Sequence, residues 1–135
     1  MKQNLKALLI KTSFDKRVKI LGNDDILFDG LTIDSRKVQS GFVFAALKGT
    51  KVDGHHHIED AIEKGATIII CEHVPQKQEQ QVCYILTNYV ADLFASLAFA
   101  FYDIDPALKV VGVTGTNGKT SIATILFQMA SKLGV

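Results

Sequence analysis

The clearest chemistry in this 135-residue chain lies in nine consecutive residues, Gly112-Val113-Thr114-Gly115-Thr116-Asn117-Gly118-Lys119-Thr120. An apolar β-leaning run, 109–113, leads into them. A stretch with Ile122, Ile125, Leu126, Met129 and Leu133 at helical spacing leads out, so the expected order is strand, glycine loop, helix. That order points backbone N–H groups outward at a helix start, where the helix dipole favours an anion. Gly115 and Gly118 let the backbone curl around phosphate oxygens without interference from a Cβ atom. Lys119 can reach β- and γ-phosphates as a point charge, and the Thr120 hydroxyl is placed to ligate Mg²⁺. The generic phosphate-loop pattern has glycine five residues before Gly118, where this chain has Val113. A glycine turn with a solvated lysine is therefore the competing reading.

A second cluster is Asp34-Ser35-Arg36 at the end of the apolar run 31–33. A carboxylate, a hydroxyl and a guanidinium side by side suit a uridine ring and a pyrophosphate, because arginine matches phosphate geometry. A structural turn in which Asp34 and Arg36 pair with each other or with backbone explains the same residues. His55-His56-His57 invites a metal, but three consecutive helical residues do not face one point. His56 and His57 are expected to be exposed at a helix start.

These residues need a scaffold. Leu5, Leu8 and Leu9 after Asn4 predict a short helix. Between 18 and 47, short β-leaning runs broken at Gly22-Asn23, Asp29-Gly30 and Ser40-Gly41 predict a small, turn-rich sheet. Ile58, Ala61 and Ile62 predict a helix stopped by Gly65. The β-branched run 67–71 and the run 82–86 read as buried strands, with a polar loop at 75–81 between them. Val90, Leu93, Phe94, Leu97, Ala98 and Phe101 form one helical stripe, and Phe101 and Tyr102 read as core packing. Alternating helix and strand makes the class α/β. Asp103-Ile104-Asp105-Pro106 marks a boundary, giving domains 1–105 and 106–135.

Bulk properties exclude several functions. A formal charge of +1 advertises neither a nucleic-acid nor an anionic-membrane surface. No apolar run approaches the about 20 residues that span a bilayer. The N-terminal apolar stretch is too short for a signal peptide, and charges return at Lys11, Asp15, Lys16 and Arg17. Cys71 and Cys83 in apolar strands read as buried thiols in a reducing cytoplasm.

The run 112–120 resembles the ATP loop of the Mur ligases, which is shorter than the generic pattern; folylpolyglutamate and cyanophycin synthetases carry similar loops. The upstream residues separate these families. Leu31 to Arg36, Gly41 to Gly49, Asp53-Gly54-His55 and Ala61 through Gly65-Ala66 resemble the N-terminal domain of the MurE and MurF branches. Phe101-Tyr102, Pro106 and Leu108 before the loop are nearer the MurE branch.

The resemblance implies a small mixed-sheet domain holding the UDP end of a UDP-MurNAc-peptide, then the first strand, loop and helix of a parallel-sheet ATP domain. It implies UDP-substrate contacts at Ile33, Ser35, Thr50, Lys51 and Val52, with Asp34, Arg36 and His55 as further candidates. It implies ATP contacts at Gly115, Thr116, Asn117, Gly118, Lys119, Thr120 and Ser121, with Lys119 catalytic and Thr120 on Mg²⁺. The implied reaction is cytoplasmic and ATP-dependent: a carboxylate of UDP-MurNAc-L-Ala-D-Glu is phosphorylated, then attacked by the amine of meso-diaminopimelate or L-lysine. The expected partners are this small nucleotide-sugar peptide and no nucleic acid or membrane, and the expected state is a monomer. The ATP domain is expected to continue past residue 135, so the 135 residues alone would bind substrate without turning it over, with 109–135 docked on the first domain or poorly ordered. A MurF-type ligase, a stand-alone UDP-sugar-binding module and an unrelated phosphate-loop NTPase are the alternatives.

Overall fold

The structure is a computed structural model that describes residues 2–134 apart from Ser13, Asp15, Lys51, Pro106 and Lys109. The chain divides into two compact units, Met1–Ile104 and Asp105–Val135.

The first unit opens with β1 (Gln3–Asn4) and α1 (Leu5–Lys11). The Asn4 side chain accepts from the Ala7 N–H at 3.0 Å, which caps the helix. There follow β2 (Lys19–Leu21), β3 (Leu27–Phe28), β4 (Gly30–Thr32), β5 (Phe42–Ala45), α2 (Ile58–Glu63), β6 (Ile68–Cys71), β7 (Cys83–Leu86) and α3 (Val90–Phe101). Five strands form one sheet in the order β2-β7-β6-β5-β4. Strands β4 to β7 run parallel, and β2 closes the β7 edge antiparallel. The pair β1–β3 is a separate antiparallel ribbon.

The strands predicted in the first unit are present, and those over 18–47 join the later strands in one mixed sheet. β2 pairs with β7, Ile20 opposite Ile85, while β4 and β5 pair with each other and extend the same sheet. Turn residues mark where strands stop; pairing is decided by which apolar faces meet across the chain.

Alternate residues of the central strands enter two cores. Val43, Ala45, Ile68, Ile70, Cys83 and Ile85 pack with Leu5, Leu8 and Leu9 of α1 and with Val90, Leu93, Leu97 and Phe101 of α3. Phe44, Ala46, Ile69, Cys71 and Tyr84 pack on the other face with Ile58 and Ala61 of α2. The period-two alternation is therefore apolar on both sides, as a helix-covered parallel sheet requires. Cys71 and Cys83 are unbonded and point into opposite cores, and burial pushes both thiols up to about 11.

Within the predicted α3 stripe, Val90, Leu93, Leu97 and Phe101 are buried and Phe94 and Ala98 half-buried. Tyr102 departs from the expectation and is exposed. The helix ends at Phe101, so Tyr102 leaves the stripe, its ring set edge-to-face with that of Phe101.

In the second unit, α4 (Lys119–Leu133) matches the predicted helix. The strand predicted over 109–113 is absent from its described residues, 110–113, and Lys109 lies outside them. A parallel strand is held by ladder bonds to neighbours, and the described residues of 105–134 contain no strand to supply them. The apolar face of α4 at Ile122, Ile125, Leu126, Met129 and Leu133 is exposed. No helix of the described residues is long and apolar enough to cross a membrane.

One close approach fixes the segment after β5. The Gly54 N–H donates to the Leu47 carbonyl at 2.8 Å, and a Cβ on Gly54 would lie 2.7 Å from both Leu47 N and Leu47 O. Backbone cannot yield as a side-chain tip can. Gly54→Ala is expected to cost about 1–3 kcal/mol, read as a lowered urea midpoint at unchanged slope. An unchanged midpoint would show that this contact does not set the loop.

Candidate functional site

A cleft of about 710 Å³ opens where β4 and β5 end. It is lined by Ile33, Asp34, Ser35 and Arg36 after β4, by Phe44, Leu47, Gly49, Val52, Gly54 and His57 from β5 onward, and by Asp60 of α2. The carboxyl ends of parallel strands are the usual ligand crevice of an α/β sheet, because the backbones of adjacent strands splay into loops there. The volume suits a nucleotide-sized ligand.

The loop after β4 is organised by Asp34. Its side chain accepts from the Arg36 N–H at 3.0 Å, capping the 3₁₀ turn Ser35–Lys37. It also takes the Arg36 guanidinium as a fork, Nε to Oδ1 at 2.9 Å and Nη2 to Oδ2 at 2.8 Å. The Arg36 side-chain and backbone hydrogen bonds hold the Asp34 carboxyl down to about 2. The structural-turn reading of Asp34 and Arg36 is thus the arrangement seen: the pair shapes the loop, and both residues line the cleft. Ser35 is buried beneath it, and its carbonyl accepts from Lys64 Nζ at 3.2 Å.

Asp53 does the same for the turn Gly54–His57, accepting from the His55 N–H at 2.9 Å. His55 is fixed from both sides: Nδ1 lies 2.7 Å from Asp53 Oδ1, and the Glu72 N–H donates to Nε2 at 3.1 Å. Because Nε2 accepts, the neutral ring carries its proton on Nδ1. The ring stacks on His73, centroids 4.2 Å apart, and its side chain is 7% exposed. His55, expected among the substrate candidates, therefore bolts the 54–57 turn to the end of β6 and does not line the cleft.

Of the predicted substrate residues, Ile33, Ser35, Val52, Asp34 and Arg36 line one cleft. Thr50 is exposed and outside its lining, and Lys51 lies outside the described residues. Sequence reasoning missed Phe44, Leu47, Gly49, Gly54, His57 and Asp60 as lining. Asp60 carries a legible signal, the i,i+4 spacing to Lys64, which it meets at 2.8 Å.

The phosphate-loop candidates fall together in the second unit. Gly115 (φ +151°) and Gly118 (φ +76°) take backbone conformations that side chains resist, and a Cβ at Gly118 would meet nothing, so its positive φ is the constraint. Thr116 and Asn117 lie between them, and Lys119, Thr120 and Ser121 form the first turn of α4. Gly118 offers no side-chain cap, unlike Asn4 at α1 or the aspartates at the two 3₁₀ turns. The first-turn N–H groups thus face outward for an anion, with Lys119 and Thr120 beside an open concavity of about 550 Å³. These donors fit a polyphosphate, and an exposed Thr120 hydroxyl fits a magnesium ion.

Acid should loosen the loop after β4. The folded Asp34 carboxyl sits below its ordinary 3.8, so its pairing is intact above that value and is lost as pH falls through about 2. The Arg36 amide resonance is expected to titrate with a midpoint near about 2; a midpoint near 3.8 would mean the fork does not form in solution.

Residues 27–102 match the family described as Mur ligase family, catalytic domain. The UDP-N-acetylmuramoyl-L-alanyl-D-glutamate--2,6-diaminopimelate ligase of Bacteroides fragilis is 50% identical over 82% of this chain and 23% of its own length. The ligase of the same name from Phocaeicola vulgatus is 45% identical over 86% of this chain and 24% of its own. The chain thus spans about a quarter of the length of these curated relatives. A MurF ligase structure from Thermotoga maritima, in complex with ADP, superposes with TM-score 0.55 at 33% identity over 76% of this chain and 23% of that one. The Acinetobacter baumannii MurF structure, with TM-score 0.69 at 21% identity over 98% of this chain and 28% of that one, shares the fold. On the matched residues 27–102, which include both the β4 loop and the Asp53–His57 turn, the chain belongs to the Mur ligase family.

Proposed function

We propose that this chain forms the substrate-binding and phosphate-loop portion of an ATP-dependent, ADP-forming amide ligase that adds a diamino acid to UDP-MurNAc-L-Ala-D-Glu. The observation that carries this reading is that one chain joins a nucleotide-sized cleft at its strand ends to a helix start that no side chain caps. The names of the relatives at 45% and 50% identity support the diaminopimelate-adding branch. In this reading residues 1–105 hold the uridine end, and 106–135 begin the ATP domain.

The cleft would take the base between the exposed apolar side chains of Ile33 and Val52 and the diphosphate near Arg36 and His57. In the second unit, the N–H groups of 115–121 and the Lys119 ammonium would take the ATP phosphates. Thr120 would hold Mg²⁺, which supplies charge neutralisation when bound. Positioning and charge compensation are the main contributions a protein makes to phosphoryl transfer. The work of this chain is to orient the two ligands, in the cytoplasm where ATP is available. A MurF-type ligase is the second reading, favoured by the 33% identity to the Thermotoga maritima structure. The amine accepted by the full-length enzyme, diamino acid or D-alanyl-D-alanine, separates the two.

Lys119→Ala in the full-length enzyme is expected to lower ligation roughly 100- to 1,000-fold, the scale of losing one preorganised charge contact, with an unchanged melting temperature. Near-normal turnover would sink the assignment. Calorimetric titration of the 135-residue chain with UDP is expected to give one-site binding that Ile33→Asp weakens. Absence of UDP binding would overturn the reading of this cleft as the uridine site.

A further inference from the structure

Lys64 closes α2 at the point where the helix meets the loop after β4. Its backbone is rooted on both sides. The Lys64 N–H donates to the Asp60 carbonyl at 3.1 Å, and the next residue, Gly65, donates to Ile62 and accepts from Gly41, each at 2.9 Å. From that root Lys64 Nζ donates to the Ser35 carbonyl at 3.2 Å and to Asp60 Oδ2 at 2.8 Å. Ser35 belongs to the turn after β4 and Asp60 to α2, and both line the cleft. Lys64 stands outside that lining, so one ammonium joins two walls without being a wall itself.

The Asp34–Arg36 fork closes the turn upon itself and does not fix where the turn stands against α2. That placement has an apolar part, Val38 buried in the same core as Ile58 and Ala61, and a polar part, the Lys64 bridge. Ser35 is buried, so its carbonyl needs a donor within the protein. The Lys64 ammonium holds the Asp60 carboxyl below its ordinary range, which keeps the other end of the bridge ionised at neutral pH.

We propose that Lys64 is a positioning residue for the cleft: by joining the Ser35 carbonyl to Asp60 it sets the distance between the two walls and so presets the cleft for its ligand. The inference rests on the proposed reading, in which a uridine nucleotide occupies this cleft. A largely exposed ion pair adds little to global stability. The effect of the bridge therefore falls on the cleft, where a wall left free would have to be ordered by the ligand at the expense of affinity.

Lys64→Met removes the donors and keeps the stem. Calorimetric titration of the 135-residue chain with UDP, at a temperature where both proteins are folded, is expected to show affinity lowered about three- to tenfold. The melting temperature should stay close to wild type. Uncharged uridine should lose the same factor, because wall spacing acts on any occupant whereas the lysine charge would act on the phosphates alone. Lys64→Arg, whose guanidinium can donate to both oxygens, should bind within about twofold of wild type. Unchanged affinity in Lys64→Met, a loss confined to UDP, or an arginine variant as weak as the methionine one would each overturn the inference and leave the uridine reading standing. Wild type that binds neither ligand would overturn both.

Discussion

Ile69 of β6 faces α2 while Ile68 and Ile70 face α1 and α3, and the same alternation runs through β5 and β7. This two-sided burial constrains the rest of the first unit. It closes both faces of the sheet to ligands and leaves the strand ends as the place where backbone and polar side chains can meet a solute. Since β4 to β7 are parallel, their carboxyl ends lie along one edge, and the loops after β4 and β5 become neighbours although residues 34 and 54 are far apart in sequence.

Two contrasting devices operate on that frame. In the first unit, aspartates close their own turns: Asp34 and Asp53 each accept a backbone N–H two residues on and then bind a side chain from the same turn. The cleft is built from loops whose hydrogen bonds are already made, so a ligand meets preset walls. In the second unit the start of α4 behind Gly118 has no such closure, and its backbone donors remain for a ligand to satisfy. Preset walls suit recognition of shape; unsatisfied donors suit recognition of charge.

Much of this was legible in the residue order. Asn4 capping α1, Gly65 ending α2 and the β-branched run at 68–71 are local signals, and each has its structural counterpart. Glycines 115 and 118 were readable because their positive φ is a local requirement. Strand partners were not legible, because Ile20 meets Ile85 through apolar matching across 65 positions rather than through any turn. The strand expected at 109–113 is missing from 110–113 for a related reason: β-propensity describes a residue's fit to a sheet, and no neighbouring strand occurs among the described residues of that unit. In the cleft, Ile33 and Ser35 could be read from the family resemblance of residues 31–36, and Val52 from its position after Gly49. His57 and Asp60 enter only because α2 packs beneath the sheet and turns them toward the strand ends.

The two cysteines give the fold a property of use to the experimenter. Cys71 belongs to the core under α2 and Cys83 to the core under α1 and α3, each fully enclosed and protonated at neutral pH. A thiolate-seeking reagent reaches either sulfur only when its own layer opens. Labelling kinetics, resolved by peptide, would therefore time the opening of the two sides of a single sheet independently, with the native sequence as its own pair of clocks.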